Sequence, residues 1–445
     1  MKILFIIPAI GKKENEKYIG TWKMEPLTVA TLKALTPSSI ETYFFDDRIE
    51  NINYDLDIDL VSISVETYTA RRAYTIADKF KEKGKTVILG GYHVQAIPEE
   101  AQEHADSILI GNAESIWQEM LNDFSNNQLK KYYKGTNKFT NIIPDRSIFQ
   151  GKKYLPLSLI ETGRGCPNKC EFCSITSFYE HTYIPRPIEY IISEIKQIKP
   201  KMIFFVDDNI CANKAHLKEL CRQLIPLKIS WTSQAALSVA EDDELLELMA
   251  KSGCKNILIG LESMDERNLD QMNKSWNYKL GETDKLLNKI HKFGISIYAT
   301  FLFGFDFDNP ENFRKTIDFS LKHKFFYAAF NHLLPFPGTP LYERLKNSNR
   351  LLYEKWWLKD NYKYGDIPYS PVATNHIELR DFCANARREF FSIKNIIKRG
   401  IAQFFRNKDL FLLMIFFSQN LNLRKEIDEK LNLPVGQGLD GTIYK

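Results

Sequence analysis

The sequence lacks a membrane-spanning run. The nearest approach, Leu410–Phe417 (LFLLMIFF), is eight residues long, against the roughly 18–20 that cross a bilayer. It also lacks an excess of either charge: 60 Lys and Arg against 56 Asp and Glu leave a net +4. That balance is too even for nucleic acid as the main partner, and none is expected. No secretory leader is expected, because Met1 runs into KILFIIPAI without the long apolar stretch and cleavage site of a signal peptide. The seven cysteines are odd in number. A reducing, cytoplasmic setting is therefore expected, with thiols serving metals rather than disulfides. What the chain does have is length and apolar content. Its 445 residues are 44% hydrophobic and 13% aromatic, enough for two to four domains with buried cores.

Strand-like and helix-like segments alternate over the first 125 residues. KILFIIPAI, ETYFFDD, LVSISV, TVILGG and SILIG read as strands, with helical patterns such as 70–85 and 114–124 between them. Such alternation predicts a parallel sheet with helices on both faces and ligands beyond the strand carboxyl ends. Those ends fall near Pro8, Asp46, Ser62 and Ser64, Gly90–His93 and Gly111–Glu114. Taken alone, Gly90 and Gly91 read as a tight turn. Residues 126–154 read as a linker, rich in Lys, Asn and Tyr. From Leu155 six more strand–helix repeats follow, which predict a full or partial barrel working at its strand carboxyl ends.

The strongest chemical signal is GRGCPNKCEFC, with Cys166, Cys170 and Cys173 spaced Cys-x3-Cys-x2-Cys. Soft thiolates this close can wrap one metal centre in a loop. A structural zinc wants four ligands, and no fourth Cys or His follows at zinc spacing. Three thiolates suit a [4Fe–4S] cube with one iron left open for a small chelating molecule. The loop follows the first strand of the expected barrel, where a catalytic centre belongs. The other four cysteines read as small buried apolar residues.

This motif, with Phe172 just before its last cysteine, resembles the radical S-adenosylmethionine superfamily. WTSQAALSVAEDDELLELMAKSGCKNILIGLES, then MNK, FLFGFDFD and LLPFPGTPLYERL, are similar to those of its barrels that carry an amino-terminal cobalamin-binding domain. VSISV, GGYH and GNAES fall where such domains contact the corrin and its nucleotide tail. The resemblance spans about residues 1–345. It implies an α/β chain: a doubly wound, Rossmann-like cobalamin-binding domain over 1–140, a partial (β/α)6 barrel over 141–345, and a mainly helical region over 346–445. It implies three cofactors: a [4Fe–4S] cluster on Cys166, Cys170 and Cys173, S-adenosylmethionine and cobalamin. S-adenosylmethionine contacts are implied at Phe172, Asp208, Gln234, Glu262, Ser263, Phe303 and Gly304. Cobalamin contacts are implied at Ser62, Ser64, Gly90, Gly91, His93, Gly111, Ala113 and Glu114. One departure stands out: Asp-x-His-x-x-Gly, whose His replaces the lower cobalt ligand in many cobalamin domains, is absent, and ETYTARRAY follows the third strand.

The resemblance implies a methyltransferase that moves a methyl from methylcobalamin to an unactivated carbon or phosphinate centre of a small molecule or lipid. The alternative keeps both cofactors but performs a radical cyclisation, oxidation or rearrangement. A cobalamin sensor without activity conflicts with the cysteine loop, and the charge balance weakens an RNA-modifying role. An external electron donor such as flavodoxin or ferredoxin is implied. Tyr179, Tyr183, His332 and Tyr342 are candidates to border the substrate, with core packing the equal alternative. No catalytic acid or base stands out. In the last hundred residues, two readings stay open for LFLLMIFF and its basic neighbours. One is burial against the barrel. The other is a peripheral membrane contact, with Phe404, Phe405, Phe411, Phe416 and Phe417 in the acyl boundary and Arg399, Arg406 and Lys408 at anionic headgroups.

Overall fold

The computed structural model describes residues 1–13, 16–275 and 280–439. Six parallel strands form the first sheet: β1 (Lys2–Ile7), β2 (Glu41–Asp46), β3 (Leu60–Ser64), β4 (Thr86–Gly90), β5 (Ser107–Ile110) and β6 (Tyr132–Lys134). Their order is β2-β1-β3-β4-β5-β6. Helices α1 (Leu27–Leu35), α2 (Ala70–Glu82), α3 (Tyr92–Ala96), α4 (Pro98–Gln102) and α5 (Trp117–Ser125) cover the two faces. One face buries Leu4, Ile6, Val61, Ile63, Val87 and Leu89, the other Ile3, Phe5, Leu60, Ile88 and Leu109. Consecutive residues thus go to opposite cores, which is why these strands read as unbroken apolar runs. The chain reverses its progress across the sheet between β1 and β3, and a doubly wound sheet opens its ligand crevice at that switch point. Strand β6 lies inside the expected linker. It is three residues long at the sheet edge, with only Tyr133 buried, so its apolar signal is too short to read.

The second sheet is also all parallel. It uses β7 (Ser158–Ile160), β10 (Met202–Phe205), β11 (Ser230–Ala235), β12 (Cys254–Glu262), β13 (Ser296–Phe303) and β14 (Tyr327–His332), side by side in that order. Strands β7 and β14 remain edges, so the barrel is partial. A small hairpin of β8 (Gly163–Gly165) and β9 (Tyr183–Pro185) stands beside it, with α6 (Ser174–Phe178) between its strands. Helices α7 (Ile188–Ile198), α8 (Lys214–Leu224), α9 (Asp243–Lys251), α10 (Glu266–Gln271), α11 (Leu280–Lys292) and α12 (Pro310–His323) lie among the barrel strands in the chain. The starts of α8, α9 and α12 are set by Asn213, Asp242 and Asn309, whose side chains accept from the first-turn amides.

After α13 (Pro340–Asn347) the chain crosses to the first sheet and back. Trp356 and Trp357 are fully buried in the core under α2. Helices α14 (His376–Phe390), α15 (Ile393–Asn407) and α16 (Leu410–Lys430) then pack against β14 and one another. Residues beyond 346 are thus mainly helical, as expected, but they strap both sheets together. Two residues that the membrane reading places at a lipid surface are core instead, as the burial reading has them. Phe416 is 0% exposed. Arg399 lies 3.8 Å above the Phe390 ring and donates from its two terminal nitrogens to the carbonyls of Phe325, Phe326 and Phe390 and to Asn420 Oδ1, while its Nε is buried without a partner. Among the described residues no helix is long and apolar enough to cross a membrane.

Candidate functional site

Two cavities adjoin at the carboxyl ends of the strands. The larger, of about 530 Å³, lies in the barrel mouth, and all three motif cysteines line it. Gly165 (φ 79°) sets up the loop, since a Cβ there would strike the Thr182 carbonyl just before the paired strand β9. Glu171 braces it from outside. Its carboxylate accepts from Arg344 Nη2 at 2.7 Å and Nε at 3.1 Å, and its amide donates to the Met272 carbonyl. Burial pushes the Cys170 thiol up to about 12, so the thiolates need positive charge from a bound group. Asn209 Nδ2 donates to Cys166 Sγ at 3.8 Å. Three soft donors around one cavity, Cys166 and Cys170 buried and Cys173 half-buried, fit an iron–sulfur cluster. Among the described residues no three His, Cys, Asp or Glu side chains converge as a single metal ion requires.

The structure brings Phe172, Asp208, Gln234 and Glu262 to the same cavity. Asp208 accepts from the Gly165 amide at 3.0 Å, and burial raises it to about 6. Its neighbour Asp207 turns away to hold the Thr162 amide and hydroxyl. Glu262 ends β12 at a register shift with φ 63°, a left-handed conformation rare outside glycine. Its carboxylate meets Lys274 Nζ at 2.7 Å, and Lys274 also donates to the Gly260 carbonyl. Lys274 belongs to the MNK segment, but no role for it was legible there. A Cβ on Gly260 would collide with the Glu262 carboxylate, so the glycine clears the path for this pair.

Three expected contacts lie elsewhere. Ser263 is buried beside the cavity, accepting from the Asp265 amide and Asn268 Nδ2. Phe303 faces outward into Phe313, Phe330 and Phe382. Gly304 (φ 109°) sits under Tyr369, whose hydroxyl donates to its carbonyl. The β13 residues that do line the cavity are Thr300 and Leu302, one step out of phase with Phe303.

The smaller cavity, of about 340 Å³, lies between the sheets. Glu66–Tyr68 come to it from the end of β3, Tyr92, Gln95 and Ala96 from α3, and Ser174, Ser177 and Phe178 from the α6 segment. Tyr68 and Phe336 line both cavities. None of the eight residues implied for cobalamin is among its lining; they stand behind or beside it. Gly91 (φ 112°) packs on Val65, with no room for a Cβ, 2.6 Å from the carbonyl. Gly90 has ordinary contact distance to Leu109. The Gly111 amide donates to Gln95 Oε1 and so orients a lining side chain. Ser62 is buried within β3, and Ser64 is half-buried at its end. Ala113 begins a short helical turn, and Glu114 is tied to Arg164 and Thr140. His93 is 0% exposed, with Nε2 3.1 Å from Glu100 and Nδ1 3.3 Å from Thr67. Both its nitrogens are occupied within the protein.

The chain matches the family described as the Radical SAM superfamily over residues 160–320. It is 31% identical over 389 residues to bacteriochlorophyllide d C-12(1)-methyltransferase of Chlorobaculum tepidum, covering 84% of each chain. Among solved structures it is similar to the radical S-adenosylmethionine methyltransferase TsrM from Kitasatospora setae, with cobalamin and a [4Fe–4S] cluster bound. That likeness has a TM-score of 0.63 at 17% identity and covers 78% of each chain. The cobalamin-dependent S-adenosylmethionine radical enzyme OxsB matches with a TM-score of 0.66 at 15% identity, over 98% of this chain and 77% of that one. Its fold, its cysteine-lined cavity and its likeness along most of its length to the Chlorobaculum methyltransferase place the chain in the Radical SAM superfamily, in the family of that methyltransferase.

Proposed function

We infer that the protein is a cobalamin-dependent radical methyltransferase that places a methyl group on an unactivated carbon or phosphinate centre of a small molecule or lipid. The observation that carries this is the wall shared by the two cavities: Tyr68 and Phe336 line both. A radical generated in one chamber is thereby within reach of a methyl donor held in the other. When bound, the cluster supplies the electron that cleaves S-adenosylmethionine to the 5′-deoxyadenosyl radical, and cobalamin supplies the methyl group.

The chain's own residues have distinct tasks. Cys166, Cys170 and Cys173 hold the cluster. Asp208, Gln234 and Glu262 present polar groups to S-adenosylmethionine from three successive strand ends, and Lys274 fixes the Glu262 carboxylate. Phe172 and the apolar strand residues keep water from the radical. Tyr68 comes from the switch-point loop after β3, which reads ETYTARRAY in place of Asp-x-His-x-x-Gly and would offer a bound cobalamin no histidine from that motif. The electron comes from an external donor such as flavodoxin or ferredoxin. A peripheral lipid contact belongs to α15 and α16, where Ile397, Ile401, Phe405, Leu410, Phe411 and Met414 are exposed.

The test is anaerobic reconstitution with iron, sulfide and hydroxocobalamin, followed by S-adenosylmethionine, a reductant and a metabolite extract. The expected products are 5′-deoxyadenosine, S-adenosylhomocysteine and a compound heavier by one methylene. Formation of 5′-deoxyadenosine with a cyclised or oxidised product and no added methylene overturns methyl transfer in favour of the alternative. Failure to bind hydroxocobalamin overturns the cofactor assignment.

A further inference from the structure

The larger cavity contains a cation that the chemistry above leaves unused. Arg387 reaches into it from α14, in the carboxyl-terminal strap. Its Nη2 donates to Asn331 Oδ1 at 2.8 Å. Among the described residues no carboxylate lies within ion-pair distance of it. The cavity's other cation, Lys274, is already satisfied by Glu262. Guanidinium stays charged at any physiological pH, and a sheltered charge without a counter-ion is unfavourable. Next to Asn331, His332 ends β14 on the same cavity wall, and its Nε2 is buried with no hydrogen-bond partner. Burial, aided by Arg387, lowers the imidazole pKa to about 3, so His332 is a neutral hydrogen-bonding group. The surrounding wall is apolar: Leu302, Leu333, Leu334 and Phe336. This polar spot lies on β14, at the opposite end of the strand order from β7, whereas the methionine carboxylate would bind the open iron held by the cysteine loop.

We propose that Arg387, with Asn331 and His332 beside it, is a carboxylate-recognition site, and that the substrate is a largely apolar molecule carrying a carboxylate. This rests on the larger cavity being the reaction chamber. Guanidinium pairs with a planar carboxylate through two parallel hydrogen bonds, and Asn331 steadies the fork. The apolar wall receives the body of the molecule and leaves its carbon centres toward the cluster.

The test is equilibrium dialysis of the reconstituted holoenzyme against two matched pairs: dodecanoate with dodecan-1-ol, and protoporphyrin IX with its dimethyl ester. The pairs distinguish an alkyl acid from a tetrapyrrole acid. In at least one pair the acid is expected to bind about tenfold or more tighter than its neutral partner. Arg387→Gln should bring that ratio close to one, and Arg387→Lys should keep part of it. Equal affinities within both pairs, no binding of either acid, or a ratio that survives Arg387→Gln overturns the proposal. So does an equal loss for acid and neutral partner, which marks Arg387 as structural. Cobalamin uptake and 5′-deoxyadenosine formation by the unaltered enzyme are scored separately and test the function itself.

Discussion

Glu262 and Lys274 form a nearly buried pair, each side chain about 10% exposed or less, and the two are not equivalent to remove. Lys274→Met leaves a buried carboxylate without its counter-ion, so a loss of about 3–5 kcal/mol is expected, read as a lower urea midpoint. Replacing both by apolar residues should restore much of it. The cysteines give a different outcome. Cys166→Ala, Cys170→Ala and Cys173→Ala should each lower bound iron from about four per chain toward zero, measured by iron analysis. Full iron content in any of them disproves its role as a ligand. Gly165→Ala tests the loop rather than its ligands. A side chain at φ 79°, driven into the Thr182 carbonyl, should reduce iron loading with all three thiols intact. The cysteines, Phe172, Gln234 and Glu262 were legible because motif spacing and strand ends mark them. Phe303 was not, because strand side chains alternate and sequence does not say which parity faces inward. Lys274 was not, because it reaches the cavity from beyond α10 through a tertiary pairing.

Among the elements, α15 shows how much of a surface a sequence conceals. Both helices were legible as apolar and basic, but which residues face out depends on where they pack. The exposed set is Ile393, Ile397, Ile401 and Phe405, spaced four apart, joined by Leu410, Phe411 and Met414 of α16. Lys394, Lys398 and Lys408 are exposed among them, and α15 contains no acid. Apolar area ringed by cations suits an anionic lipid surface. The protein is expected to sediment with phosphatidylserine vesicles at low salt and to be partly released at high salt as the charges are screened. Phe405→Ser with Phe411→Ser should abolish sedimentation. Continued sedimentation of that variant excludes this face, and concentration-dependent dimerisation lost in it identifies a second copy as the occupant. Element β6 carries the opposite lesson: three edge residues are held by pairing with β5, which local composition does not report.

At the scale of the whole molecule, the strap after α13 joins the two sheets through a buried polar cluster. Glu100 Oε1 accepts from Trp357 Nε1 at 2.9 Å and lies 3.1 Å from His93, with Lys355 3.1 Å from its other oxygen. Burial alone would raise this carboxyl; the hydrogen bonds from His93, Trp357 and Lys355 outweigh it and hold the pKa at about 2. A carboxyl with a depressed folded pKa adds stability above its unfolded value near 4.5, and that stability is lost as pH falls toward about 2. The urea midpoint should therefore fall through this window, and Glu100→Gln should flatten the fall. An identical acid limb in both proteins shows that the cluster does not link them. The strap also sets the limits of sequence reading. Two sheets, their order of helices and the cysteine loop were legible from local periodicity. The return of Trp356 and Trp357 to a core built more than 250 residues earlier was not, because nothing local encodes a partner so distant.

That same distance has a consequence in time. The brace on the cysteine loop, Arg344, follows Glu171 by 173 residues. At about 5–20 residues per second of synthesis, the loop leaves the ribosome roughly 10 to 30 s before its clamp exists. Through that interval its three thiols stand on an unclosed turn, open to delivery of iron and sulfide, and the arrival of α13 then shuts the loop around whatever it has received.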